Sequence, residues 1–254
     1  MKTHHTRIAL ITGASRGLGR NIASHLAERG VDPILTYHRN ASAAAEVVDE
    51  LRALGRRATA LPLDVADSRA FPAFAAQVRE VVQGWGRERF DILVNNAGSG
   101  LHLPYLETTE EQFDSMVAIH LKSAFFLTQA LAPLLEDGGR ILNVSSGLAR
   151  FTVENYAAYA MAKGGVEVLT RYQARELAAR RIKVNVIAPG AIETDFSGGA
   201  VRDNPQLNAM IAGMTALGRA GLPDDIGAAA AALLDEGNGW MTGQRIEVSG
   251  GMML

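Results

Sequence analysis

Arg7-Ile8-Ala9-Leu10-Ile11-Thr12 is a nearly unbroken apolar run, and Gly13-Ala14-Ser15-Arg16-Gly17-Leu18-Gly19 follows it directly. An apolar run without polar alternation marks a strand covered on both faces, as the strands of parallel sheets are. From about Leu18 to Glu28 the period changes to that of a helix, with Ile22 and Leu26 on one face. Strand, glycine turn and helix in succession make a crossover unit, so the next strand lies parallel to the first. Glycines at such a turn let backbone N–H groups approach a phosphate, and the helix N-terminus adds partial positive charge. The spacing is Gly-x-x-x-Gly-x-Gly rather than Gly-x-Gly-x-x-Gly, so the loop takes its meaning from its place between strand and helix.

The same alternation continues to the end of the chain. Strands are expected at 33–38, 58–63, 91–94, 140–144, 183–187 and 245–248, the first opening on Pro33, where a strand tolerates proline. Helices are expected at 42–54, 68–82, 109 to about 131, 159 to about 179, 208–214 and 224–234. Thr109-x-x-Gln112 has the form of a capping box. Strands alternating with helices predict a parallel sheet covered on both faces, and the absence of a linker or repeat predicts one domain spanning 1–254. The 254 residues are 48% hydrophobic with a net charge of −2, which gives no electrostatic footprint for nucleic acid or membrane. With no cysteine, thiol nucleophiles and thiolate metal sites are excluded, and His4-His5 reads as a solvated terminus rather than a metal site. The apolar runs are expected to be too short to span a membrane, and the first residues lack a signal-peptide pattern, so a cytoplasmic protein is expected.

Chemistry concentrates at Asn143-Val144-Ser145-Ser146 and Tyr159-Ala160-Met161-Ala162-Lys163. Tyr159 and Lys163 are four apart and share a helical face. A cation beside a phenol stabilises the phenolate, so the pair predicts a Tyr159 pKa below about 10 and a group able to exchange a proton with an oxygen. A hydroxyl from the preceding strand end would hold that oxygen. The second strand ends in His38-Arg39-Asn40, with no acid to meet an adenosine ribose, and Arg39 with Arg16 would suit a 2′-phosphate.

Thr12 through Gly19, Asp64, Asn95-Asn96-Ala97-Gly98, Ser146, Tyr159-x-x-x-Lys163, Pro189-Gly190 and Thr194 together resemble the short-chain dehydrogenase/reductase family, over essentially the whole chain. The run Asn185 to Thr194 and the ending Gly250-Gly251-Met252 look most like its 3-oxoacyl-carrier-protein reductase branch. The resemblance implies a doubly wound Rossmann fold, a seven-stranded parallel sheet in the order 3-2-1-4-5-6-7. It implies NADP(H) held by Gly13, Ser15, Arg16, Gly17, Leu18, Gly19, His38, Arg39, Asn40, Asp64, Val65, Asn95, Ala97, Gly98, Pro189, Gly190, Ile192 and Thr194. Tyr159 would protonate a substrate carbonyl, Lys163 would lower its pKa and hold the nicotinamide ribose, and Ser146 would hold the carbonyl oxygen. Ser145 would point the other way. Phe151, Tyr156 and Phe196 would wall the substrate pocket, with Leu101 and Leu103, and 191–221 would form a lid hinged at Gly198-Gly199. A homotetramer is implied, with the apolar ending Met252-Met253-Leu254 covered.

Two departures stand out. His120 occupies the position where the family usually places an asparagine that holds a water in a proton path to Lys163. A neutral histidine could do the same or could be a core residue bonded to a backbone carbonyl. Gly164-Gly165 follow Lys163 inside the helix, for close packing or by tolerance. The activity expected is NADPH-dependent reduction of a small ketone or ketoester to a secondary alcohol, with Tyr159 as proton donor. A 3-oxoacyl-carrier-protein reductase, an NAD-linked alcohol dehydrogenase and a dinucleotide-binding regulator are the alternatives. Glu136-Asp137 place acid on a surface that an acidic carrier protein would need to be basic.

Overall fold

The first apolar run forms β1 (Ile8–Ile11), all four of its side chains buried, in a computed structural model that describes residues 5–254. His4 lies outside those residues. The strands β2 (Asp32–Tyr37), β3 (Thr59–Pro62), β4 (Phe90–Asn95), β5 (Leu135–Val144), β6 (Lys183–Pro189) and β7 (Arg245–Val248) complete one sheet in the order β3-β2-β1-β4-β5-β6-β7. Every pairing is parallel. The expected fold class and strand order are therefore met.

Alternation along each strand divides the core in two. Ala9, Ile11, Val94, Leu142 and Ile187 face α1 (Gly17–Glu28), α2 (Ala41–Ala53) and α9 (Pro223–Leu233). Ile8, Leu10, Leu93, Ile141 and Val184 face α3 (Phe71–Gly84), α5 (Ser123–Leu131) and α6 (Ala157–Glu176). Burying each such Leu or Ile contributes about 1.5–3 kcal/mol, which is why the strands show no polar alternation. Strand order reverses between β1 and β4, and there the carboxyl ends of the strands open a crevice.

The capping box forms as expected. Thr109 Oγ1 accepts from Gln112 N, and Gln112 Oε1 accepts from Thr109 N. The helix it opens is not uniform. α4 (Glu110–Met116) passes through a π-helical turn at Val117–Lys122 before α5. The sequence period gives no sign of that turn. The continuous helix Glu110–Leu134 is, by length and composition, long and apolar enough to cross a membrane, contrary to expectation, but Leu127 and Leu131 are buried against the sheet in the core.

Three further differences are local. β5 begins at Leu135, where an irregular register with Phe90 carries the pairing five residues earlier than expected. The segment 191–221 holds α7 (Ala200–Asp203) and α8 (Pro205–Gly213), the latter capped by Asn204 with proline in the first turn. The two helical glycines have separate explanations. A Cβ on Gly165 would lie 3.0 Å from the Leu121 side chain, so Gly165 serves close packing on the π turn, whereas a Cβ on Gly164 would meet nothing within 4 Å.

Candidate active site

The crevice is framed by backbone. Thr12 Oγ1 accepts from Asn96 N and Ala97 N, both at 2.9 Å, tying the end of β1 to the loop after β4. Gly13 has φ +64°, and a Cβ there would sit 2.9 Å from Ala97 Cα. A Cβ on Gly19 would sit 2.6 Å from the Asn96 side chain. These two glycines therefore serve close packing of β1, α1 and the β4 loop. Gly17, at φ +57°, faces Thr194 across the crevice. The N-terminus of α1 has no side-chain cap, so its leading N–H groups are open to an anion. Such a cradle fits the pyrophosphate of a dinucleotide. Ser15 and Leu18, partly exposed, border this turn.

At the end of β2, His38, Arg39 and Asn40 are exposed, as is Arg16 across the crevice. Asp64 Oδ2 is 3.6 Å from His38 Nε2, and Asp64 Oδ1 accepts from Ala66 N. Asn40 Oδ1 caps α2 through Ala43 N. Asn95 lines the crevice while its side chain is used within the fold. Its amide donates to Thr128 Oγ1 at 3.0 Å and to Asn143 Oδ1 at 2.8 Å, so it turns inward and binds β4 to β5. Ala97, Gly98 and the partly buried Val65 remain beside the crevice. Pro189 ends β6, and Gly190 packs so tightly on Ser249 that a Cβ would lie 2.9 Å away. Ile192 packs on Gly221, and Thr194 Oγ1 accepts from Phe196 N.

The reactive side chains meet where β5 ends and α6 begins. Ser146 caps the short turn Gly147–Ala149, its Oγ accepting from Leu148 N at 3.2 Å, and it is the group that draws the Tyr159 pKa down. Ser145 points away as expected, its single hydroxyl proton going to Glu167 Oε1 at 2.8 Å, with Lys163 O the more distant acceptor at 3.2 Å. Lys163 Nζ donates to Val144 O at 2.7 Å and stands 5.7 Å from the Tyr159 ring centroid. The phenol does not show the expected lowered pKa. Burial pushes Tyr159 up to about 12, against the pull of the Ser146 hydrogen bond, with a further rise from Tyr156. Burial brings Lys163 down to about 7. Desolvation outweighs attraction here, because both groups are almost wholly removed from water.

His120 projects from the π turn to the same place. Its ring meets Tyr159 edge-on, with centroids 5.2 Å apart, and Nε2 lies 2.8 Å from Ser99 O. A carbonyl partner makes Nε2 the protonated nitrogen, so Nδ1 is an acceptor, and this buried Nδ1 has no partner among the described residues. Burial, then the Lys163 charge, hold the His120 pKa down to about 3, while the Ser99 bond acts in the other direction. His120 is neutral at pH 7. A polar cavity of about 10 Å³, lined by His120, Lys163, Asn95, Thr12 and Ser123 among others, adjoins it, close to the smallest space that holds one water.

From the 191–221 segment, Phe196 lies 5.9 Å from the Tyr159 ring, tilted against it. Ser197, Gly198 and Gly199 all have positive φ, a conformation that favours the two glycines. Tyr156 stands 6.3 Å from Tyr159 and walls a groove of about 360 Å³ with Tyr105, Leu148, Val153 and Asn155. Leu101 packs against Tyr159 and Met116, while Leu103 pairs its backbone N with Asn155 O. Phe151 is not a pocket wall. It is buried under the serine turn, where a Cβ on Gly147 would come within 2.6 Å of its ring. Sequence reading missed His102, whose ring lies 4.9 Å from Tyr156, and Asn155, at φ +69°. An Asn before an aromatic-rich helix start is a signal for such a turn.

Residues 13–253 match the family model described as enoyl-(acyl carrier protein) reductase. The chain is 35% identical to the hydroxynaphthalene reductase-like protein Arp2 of Metarhizium brunneum, covering 96% of this chain and 94% of that protein. It is 37% identical to the 3-oxoacyl-(acyl-carrier-protein) reductase FabG of Staphylococcus aureus, covering 98% and 99%. The crystal structure of the angucycline C-6 ketoreductase LanV with bound NADP superposes with a TM-score of 0.89 at 36% identity, over 97% of this chain and 95% of LanV.

Proposed function

The chain belongs to the short-chain dehydrogenase/reductase family, and on that premise we propose that it is an NADPH-dependent carbonyl reductase with Tyr159 as its proton donor. It is an oxidoreductase of the ketoreductase type. One observation carries the proposal: Ser146 and Lys163 converge on a buried Tyr159 that burial keeps protonated. A phenol held in its acid form is ready to donate to a carbonyl oxygen. Ser146 would hold that oxygen beside the phenol. Bound NADPH would supply the hydride. Gly17 and the open N-terminus of α1 would hold its pyrophosphate, with Arg16 and Arg39 at the 2′-phosphate and Thr194 near the nicotinamide end. Lys163 would hold the nicotinamide ribose. His120, neutral with a free acceptor beside a water-sized cavity, would hold a water next to Lys163 and re-supply protons.

The substrate in this reading is a free ketone. The groove beside Tyr156 has Tyr105 and Tyr156 on its walls, and aromatic walls suit a flat cyclic ketone as well as a small ketone or ketoester. Binding of NADP by LanV and the naphthalene chemistry in the name of Arp2 agree with it. We read 1–254 as one cytoplasmic domain with 191–221 as its lid. We also read it as a homotetramer, because Phe125, Phe126, Met161, Val168 and Tyr172 are exposed on α5 and α6. Met252 no longer argues for assembly, since it is buried within the chain; Met253 and Leu254 remain exposed.

A panel of a small ketone, a ketoester, a bicyclic aromatic ketone and a 3-oxoacyl carrier-protein thioester, each with NADPH, tests the reading. Turnover of free ketones supports it. Turnover of the carrier thioester alone would replace it with the 3-oxoacyl reductase activity, and no turnover at all would refute it.

A further inference from the structure

The turn that carries Ser146 is gripped at both ends by one chain of charges. Before the turn, Ser145 Oγ donates to Glu167 Oε1 at 2.8 Å. Arg245 Nε donates to the same oxygen at 2.7 Å. Arg245 Nη1 continues to Glu247 Oε2 at 2.9 Å. After the turn, Arg150 closes on Glu247 in a two-pronged pair, with Nε to Oε2 at 2.6 Å and Nη2 to Oε1 at 2.7 Å. Ser249 Oγ adds a fourth bond to Glu247, at 2.8 Å. Arg150 Nη2 also donates to Met252 O, in the last turn of the chain. Two arginines and two glutamates alternate, so the chain is neutral, and the β7 residues Arg245 and Glu247 form its middle.

An isolated surface ion pair would contribute little. This one differs in three ways. Glu247 is four-fifths buried and accepts four hydrogen bonds. Its pair with Arg150 has the planar two-point geometry that fixes orientation. Arg245 Nη2 is already buried without a partner among the described residues, so loss of Glu247 would strand a second nitrogen of the same guanidinium. The bonds within the turn are short-range: Leu148 N to Ser146 Oγ, Ala149 N to Ser146 O, and Arg150 N to Gly147 O. They set its shape and leave its placement to contacts outside it, which the bond from Ser145 N to Ile187 O before the turn, Phe151 beneath and the charge chain at the ends provide.

We propose that Glu247 is a positioning residue for Ser146, holding the serine turn at both ends through Arg150 on one side and Arg245, Glu167 and Ser145 on the other. Its effect on turnover rests on the carbonyl-reductase reading above; its effect on the turn does not. Both are tested on the full chain. In Glu247→Gln the amides of Ala149, Arg150 and Phe151 should exchange with solvent about tenfold faster or more, while that of Leu10 in β1 keeps its wild-type rate. With a ketone turned over by the wild type, Glu247→Gln and Arg150→Gln should each lower kcat about tenfold with the NADPH Kd within about twofold of wild type. The double variant should be no worse than the poorer single one, because both remove one coupling. Arg150→Lys, which keeps the charge, should recover part of the rate and also serves if Glu247→Gln does not fold. Unchanged exchange at the turn would overturn the proposal. So would multiplying effects in the double variant, or a parallel rise in exchange at Leu10, which would mean general loosening. If the wild type reduces no ketone, the functional reading fails while the exchange measurement still decides this inference.

Discussion

The crevice near β1 and the site near β5 hold their ligand-facing groups by opposite means. Around β1 the structure relies on backbone: Gly13 and Gly19 let strand, helix and loop approach, and Thr12 Oγ1 gathers two amides. Around β5 it relies on side chains buried against their preference, with Tyr159 pushed up to about 12 and Lys163 and His120 pushed down to about 7 and about 3. The first region fails when space is lost; the second changes when a charge or hydrogen bond is removed. Close packing makes a rigid cradle, and burial makes an acid that keeps its proton.

The largest effect should come from the side-chain region. Lys163→Ala should lower kcat by about a hundredfold or more and weaken NADPH binding, because it removes the amine that stands beside Tyr159 and that is proposed to hold the ribose. Steady-state kinetics beside a fluorescence titration of NADPH would check both losses. In the backbone region, Gly13→Ala puts a Cβ 2.9 Å from Ala97 Cα at φ +64°. It should cost about 2 kcal/mol or more of stability, seen in denaturant unfolding, and should weaken binding of NADPH and NADH alike.

Arg39→Asp should erode a preference for NADPH over NADH of about tenfold, or about 1.4 kcal/mol. Comparison of kcat/KM for the two cofactors decides it, and equal values in the wild type would remove the argument from Arg16 and Arg39. His120 gives a pH signature. Its folded pKa lies below the ordinary value of 6.5, so the unfolded chain takes up the proton first. The stability linked to its neutral form is full above pH 6.5 and is lost as pH falls toward 3. His120→Asn should therefore lose less stability than wild type between pH 7 and a mildly acidic buffer, and should retain most of the turnover. The smallest effect expected is at Gly164. Within the single chain a Cβ there meets nothing, so Gly164→Ala should stabilise the helix of one subunit by about 0.4–1 kcal/mol.

The sequence made the first region more legible than the second. Apolar runs and a glycine turn are local signals, right-handed crossovers make the sheet parallel, and its order is what the family resemblance implies. The Tyr159–Lys163 face was equally local. What escaped depends on contacts distant in sequence. The Asn95 amide donates to Thr128 and Asn143, partners that no local pattern points to. Phe151 looked like a pocket wall until the bare Cα of Gly147 let it slip beneath the turn. The pKa of Tyr159 was misjudged because i,i+4 spacing reports a neighbouring charge and says nothing of desolvation. The π turn at Val117–Lys122, which aims His120 at Tyr159, has no counterpart in the sequence period.

The central claim is that a protonated Tyr159 donates to a carbonyl at a site whose cofactor cradle stands without it. A single-turnover experiment on Tyr159→Phe, loaded with NADPH and mixed with a ketone that the wild type reduces, tests this most directly. Loss of the nicotinamide absorbance should slow by about a hundredfold or more, while the NADPH Kd stays within about twofold of wild type. Single-turnover rates close to wild type would show that the proton comes from another group and would contradict the account.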